Sequence, residues 1–346
     1  MFNPLESTII AFLKSKEECS SKEIFDQIDS MVSYATVKRT LTKLNAEKLI
    51  EVVGKGKATK YQISSIYELI ELIDLELYYQ KEIDERKIKN SFNFQLISKI
   101  LKNNNIFSDS EFSKLEELQA IYTNNTKQLS DFAFKKELER LAIDLSWKSS
   151  QIEGNTYSLL ETEKLLKDKE TASGKTKDEA VMLLNHKEAI DFIIENPHYL
   201  NPLSVSKIED IHSLLMKGLI EEKNIRKRRV GISGTNYKPL DNEFQIKEAL
   251  LALCELVNNK ENTFEKALLA LVLISYIQPF VDGNKRTARI VCNAILMHNN
   301  YCPISFRTVD SIEYKKAMLL FYEQNNISCI KSIFIQQFAF AVDTYF

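Results

Sequence analysis

The stretch that most constrains this chain runs Ser275-Tyr276-Ile277-Gln278-Pro279-Phe280-Val281-Asp282-Gly283-Asn284-Lys285-Arg286-Thr287-Ala288-Arg289. The apolar run Ala267–Ile274 leads into it, and the amphipathic run Ile290–Met297 leads out. Between them Asp282-Gly283-Asn284 is turn chemistry, because glycine takes positive φ and Asp and Asn bond their own backbone. The pattern therefore predicts helix, tight loop, helix. The second helix opens with N–H groups that lack intrahelical acceptors, at the positive end of the helix dipole, and such a start attracts anions. Arg286 and Arg289 lie three apart and share one face of it. Asp282 is suited to holding a divalent cation against phosphate oxygens. Loop amides, two guanidiniums and one carboxylate together read as a nucleotide di- or triphosphate site, with Asp282, Gly283, Asn284, Lys285, Arg286 and Arg289 as its residues.

The twelve positions from Gln278 to Arg289 resemble the signature of the Fic (Fic/Doc) family, HPFx(D/E)GNGRxxR. Lys285 replaces the second glycine, as in the Doc branch, and Gln278 replaces the family's general-base histidine. The resemblance implies an enzyme that uses ATP with Mg2+ and attacks the α-phosphate with a Ser, Thr or Tyr hydroxyl of a protein target (AMPylation). Histidine suits the base role because its pKa lies near neutrality, whereas a glutamine amide has no useful basicity. Loss of a general base costs about 10²–10⁴-fold. The phosphate-positioning groups survive, and electrostatic stabilisation is often the larger contribution. Two function classes stay open. One is an autoinhibited, nucleotide-binding regulatory protein with weak or lost transferase activity, coupled to a DNA-binding head. The other is an active nucleotidyl transferase that modifies a protein, itself included, by a histidine-independent route.

Upstream, Leu138, Leu141, Leu145 and Ile152 mark a helical face from about Asp131. It ends at Ser149-Ser150-Gln151-Ile152-Glu153-Gly154. Ser149, Glu153 and Gly154 fit the family's inhibitory motif, (S/T)xxxE(G/N). The resemblance implies that Glu153 pairs with Arg289 and displaces the γ-phosphate. Read alone, Glu153 is a helix C-terminal residue before a glycine cap, unfavourable against the dipole, so a basic partner is expected.

Between Arg226 and Pro239 the helical period breaks and glycines punctuate, which predicts a short hairpin. The resemblance implies a flap here that holds the target segment as an added β-strand, at Val230, Gly231, Ile232 and Ser233. The basic run 226–229 reads either as a solvated loop face or as a nucleic-acid patch. Tyr314 reads as a core tyrosine, with base stacking as the alternative.

Residues 1–64 predict three helices and a hairpin. Ser20 with Glu23 makes a capping box and Ser33 caps the third helix, while 50–53 and 59–63 read as strands joined by Gly54-Lys55-Gly56-Lys57. This order resembles the winged helix-turn-helix family. From Ser33 to Ser64 seven basic residues face only Glu47 and Glu51, against a net charge of −2 for the whole chain. Lys38, Arg39 and Lys43 on the third helix, with Lys55 and Lys57 on the wing, are the candidate DNA contacts. Protein contact is the alternative use of such a domain.

The 346 residues suggest two or three domains. We expect a winged helix at 1–64, a helical connector at 65–100 including one helix from Ile66 to Tyr79, and a Fic domain at 101–346. Within that domain the inhibitory helix spans about 131–154, the core about 156–300 and closing helices about 308–346. Eight Gly and six Pro among long helical patterns point to a mainly α fold, a Fic-type bundle with its hairpin flap behind the winged helix. No apolar run approaches the ~18 residues of a membrane span, and no secretory pattern opens the chain. Five cysteines without C-x-x-C spacing fit reduced thiols, so a cytoplasmic protein with no membrane partner is expected, with a homodimer possible. The four histidines form no ligand pattern and read as solvated or core residues.

Overall fold

The computed structural model describes residues 3–16, 18–28, 32–222 and 224–346, with the side chain of Lys57 outside the described set. The chain forms two compact units, Met1–Leu72 and Ile73–Phe346.

The first unit holds α1 (Pro4–Ser15), α2 (Ser21–Gln27), α3 (Tyr34–Ala46), an antiparallel hairpin of β1 (Ile50–Val53) and β2 (Lys60–Ile63), and α4 (Ser65–Ile70). Asn3 and Ser20 each make a capping box, and Ser33 accepts from Thr36 N. Ile9, Ile10, Leu13, Val37, Leu41 and Leu44 interlock as its core. Three helices and a two-stranded wing make this region winged-helix-turn-helix-like.

The second unit is helical: α5 (Leu75–Tyr79), a short π turn at Leu96–Leu101, α6 (Asp109–Thr126), α7 (Asp131–Ile152), α8 (Leu159–Asp168), α9 (Lys177–Glu195) and α10 (Val205–Leu215). It continues with α11 (Glu243–Asn259), α12 (Thr263–Ile277), α13 (Asn284–His298), α14 (Ser311–Gln324) and α15 (Ser328–Tyr345). Every residue of α12 except the half-buried Lys266 is buried. A helix apolar on all sides belongs at the centre of a bundle; α12 packs against α11, α13 and α14 there, and α13 also meets α7, α9 and α10.

Two expectations are corrected. The single helix over 66–79 is two: Glu71 ends α4, and the Asp74 carboxylate accepts from Leu77 N to start α5. The hairpin expected at 226–239 does not form a ladder; its one bridge pairs Lys238 with Ser91. Arg226 explains the difference. Its side chain, 1% exposed, donates to the carbonyls of Gln278, Arg228 and Leu240, which draws the segment inward instead of pairing it with itself. Helix α11 carries no chemical motif, although Asn242 caps it.

Candidate functional site

Helix α12 ends at Gln278, the left-handed residue that turns the chain (φ 52°, ψ 58°). Its amide is engaged at both ends: Nε2 donates to Ser275 O at 2.6 Å, and Oε1 accepts from Asn284 Nδ2 at 3.0 Å. Asn284 Oδ1 in turn accepts from Phe280 N at 2.8 Å. The loop is thus braced by side-chain amides. Gly283 caps α13 at φ +79° with no side-chain acceptor, so the first-turn N–H groups have no side-chain cap. The glycine is required twice over, since a Cβ there would lie 2.7 Å from Met216 Sδ. Below the loop His212 stacks on Phe280 at 3.7 Å between ring centroids, with Nε2 3.0 Å from Asp282 O.

Two arginines from α13 lie buried under this loop. Arg286 is 2% exposed and Nη2 donates to Asp282 Oδ2 at 3.1 Å. Arg289 is fully buried; Nε donates to Ser149 Oγ at 2.8 Å, and Nη2 to Ser149 O at 3.0 Å and to Glu153 Oε1 at 2.8 Å. Its guanidinium also lies over the ring of Tyr314, a core residue with no exposed area. The Nε and Nη1 of Arg286 and the Nη1 of Arg289 have no acceptor among the described residues. Buried charged donors without acceptors are costly, and an anion supplies what they lack.

Glu153 closes helix α7, and Gly154 follows at φ +103°. Besides Arg289 the carboxylate accepts from Lys285 Nζ at 2.8 Å, so one carboxylate holds two cations of the loop. Burial pushes its pKa up, but the charges of Arg289 and Lys285 outweigh this and hold it down at about 2. Behind it His186 Nε2 sits 2.6 Å from Ser149 Oγ. Burial, then the neighbouring arginines, push the His186 pKa well below its usual value, so the ring is neutral.

Glu153, Gln278 and the 281–285 loop line one cavity of about 370 Å³, with Met318, Leu319 and Tyr322 of α14 opposite. Gly231, Ile232 and Ser233 form another part of its wall. The volume is in the range of small-molecule sites, about 300–1,000 Å³. Residues far apart in sequence thus share one space, Glu153, the 281–285 loop and Gly231–Ser233, whereas Val230, Arg286 and Arg289 are not among those lining it. The roles of His186 and His212 were not legible, since neither stands at a motif position, and the motif that contains Lys285 does not signal its pairing with Glu153. Among the described residues no group of three or more His, Cys, Asp or Glu could hold a metal ion. The described cysteines are free thiols.

In the first unit Lys38 and Arg39 are exposed on α3, and Lys38 lies over the Tyr34 ring. Lys43 instead bonds Glu6 at 2.6 Å and approaches Glu47 at 3.7 Å, so its charge is partly matched at home. Lys55 is exposed; the side chain proposed at Lys57 lies outside the described residues.

A helical bundle whose central helix feeds a braced loop and helix start, with the Glu153 carboxylate bonded to that helix beside a cavity, is consistent with a Fic-type architecture. Residues 202–296 match the Fic/DOC family model, and residues 2–68 match the penicillinase repressor model. Curated relatives include the protein adenylyltransferase Fic of Drosophila erecta, 27% identical over 199 residues that make up 56% of this chain and 38% of that protein. The Nematostella vectensis protein adenylyltransferase Fic is 28% identical over 194 residues, 52% of this chain and 43% of its own. The chain thus spans under half the length of these relatives. Among solved structures, Fic-1 from C. elegans superposes with a TM-score of 0.60 at 20% identity, covering 68% of this chain and 72% of that one. A Fic-domain signaling protein from Bacteroides thetaiotaomicron gives 0.55 at 19% identity, covering 68% and 94%. Residues 202–296 thus match a Fic domain, in a chain similar to protein adenylyltransferases and with an N-terminal winged-helix-turn-helix-like region. No helix among the described residues is long and apolar enough to cross a membrane.

Proposed function

We propose that this protein binds ATP or another nucleotide at the Asp282–Arg289 loop, that Glu153 shuts out the terminal phosphate, and that Gln278 leaves the site without its general base. The observation that carries this reading is the buried Arg289 guanidinium. Among the described residues its one carboxylate partner is Glu153, and a further N–H is unfilled. A polyphosphate must displace the carboxylate to take both. While Glu153 stays, its negative charge repels the incoming phosphate and occupies the cation that would receive it.

The unfilled donors of Arg286 and Arg289 and the α13 start suit a polyanion. Asp282, its side chain 65% exposed, would hold Mg2+ with phosphate oxygens completing the ligand shell, and the ion would neutralise phosphate charge. The flap residues Val230–Ser233 would present backbone to an extended protein segment carrying the acceptor hydroxyl. That hydroxyl must lose a proton as it attacks phosphorus. Gln278, whose amide is already tied to Ser275 and Asn284, has no lone pair basic enough to take it. Slow or absent transfer with retained nucleotide binding follows. The winged-helix-like unit would bind DNA through Lys38, Arg39 and Lys55, making the whole a nucleotide-responsive regulator.

Incubation with ATP labelled on the α-phosphate, with Mg2+ and candidate proteins, tests the catalytic half. The expected result is ATP binding without label on any protein, this chain included. Transfer at rates typical of an enzyme would establish the histidine-independent transferase instead. Gln278→His is expected to raise transfer by about 10²–10⁴-fold in a Glu153→Gly background.

A further inference from the structure

We propose that residues 84–93 form a strap that fixes the flap wall of the cavity, with Arg86 as the positioning residue; this rests on reading Gly231–Ser233 as the target edge. None of these residues lines the cavity, and the strap reaches the flap segment, α12 and α14, which carry cavity-lining residues. Arg86 is the hub. Its side chain is 5% exposed; Nη1 lies 3.1 Å from Glu323 Oε1 on α14, and Nη2 donates to Gly234 O at 2.9 Å. Glu323 is itself fully buried and also accepts from Tyr78 OH at 2.6 Å, so the guanidinium is held from one side and holds the flap with the other.

Gly234 is the point where flap meets α14. It sits at φ +86°, and a Cβ there would come 3.3 Å from Leu319 Cδ1. Leu319 is a wall of the cavity. Arg86 therefore clasps the flap to α14 at a place where only a glycine fits without displacement. Further contacts repeat the pattern. Asn236 Nδ2 donates to Asp84 Oδ1 at 2.9 Å, and Lys238 N to Asn90 O at 3.2 Å. Phe92 and Tyr237 stack on Tyr276 at 4.8 and 4.9 Å, and Asn93 N donates to the Tyr276 hydroxyl at 2.9 Å. Tyr276 stands two residues before Gln278. The strap thus ties flap, central helix and α14 at their cavity ends, while Arg289 and Glu153 are held independently by α7 and α13.

A loosened strap frees the flap without touching the nucleotide loop. Arg86→Lys separates these roles, because one ammonium cannot reproduce the planar fork that reaches Glu323 and Gly234 together. The lysine stays with the buried carboxylate and releases the flap. The experiment places a nitroxide on Ser233→Cys in a Cys329→Ser background and follows its mobility, the melting temperature and Mg·ATP affinity in Glu153→Gly chains with Arg86, Arg86→Lys or Arg86→Ala. In Arg86→Lys the label is expected to become severalfold more mobile, with the melting temperature little changed and ATP affinity within twofold. In Arg86→Ala the label is freed and the fold also weakened, because the buried Glu323 carboxylate loses its counter-charge. Unchanged label mobility in Arg86→Lys overturns the strap. Freed label with no measurable ATP binding in any chain keeps the strap and removes the nucleotide reading.

Discussion

Glu153 and Arg289 set the energetics of the site at the scale of single residues. Removing one partner of a buried pair leaves the other charge stranded and typically costs about 3–5 kcal/mol. Glu153→Gly should therefore lower the unfolding free energy by roughly that amount in buffer, and Mg·ATP should restore much of it, about 2.7 kcal/mol at a hundredfold excess over Kd. Denaturant titration with and without nucleotide checks this. His186 gives the pH dependence. Its folded pKa lies below its ordinary value, so the unfolded chain binds more protons as pH falls. Its contribution is complete above about pH 6.5 and is lost below that, with a slope of up to about 1.4 kcal/mol per pH unit. Glu153, held at about 2, has the same sign in a lower window: its contribution is present above about pH 4.5 and is lost as pH falls towards 2. In urea titrations from pH 7 to 3, His186→Gln, which can still accept from Ser149, should flatten the upper slope and leave the lower one. An unchanged slope would show that His186 is not the titrating group.

Among the elements, those with caps or an unambiguous period were legible. Ser20 and Ser33 cap helices as the sequence predicts. The loop from Gln278 to Arg289 was legible because glycine, proline and charge stand at fixed offsets. Glu153 was legible because a glutamate before a C′ glycine opposes the helix dipole and needs a cation. That it would take two, Lys285 as well as Arg289, depends on how α7 crosses α13, which local pattern does not encode. The flap was misread for a similar reason. Its glycines signal turns, but whether the strands pair depends on Arg226, whose three carbonyl partners come from 228, 240 and 278. Arg226→Ala should destabilise the unit by roughly 3–5 kcal/mol, since buried carbonyls left unsatisfied cost about 1–3 kcal/mol each. Arg226→Lys should recover only part of that loss, and thermal melts of the two variants test both statements.

For the molecule as a whole, two compact units carry two chemistries. The first matches a repressor family model and displays cations on α3 and the wing. If it binds DNA, Lys38→Ala with Arg39→Ala should weaken binding across sequences and reduce the steepness of its salt dependence by about one or two counterions. Gel shifts across a salt series measure this, and no retardation at low salt would point to a protein partner. The second unit carries the site on which everything else depends, which we propose is a polyphosphate seat closed by a carboxylate. Calorimetry of Mg·ATP binding to the parent chain and to Glu153→Gly tests that most directly. The account predicts weak binding in the parent and at least tenfold tighter binding in the variant. Equal affinities in the two chains, or no binding in either, would contradict it.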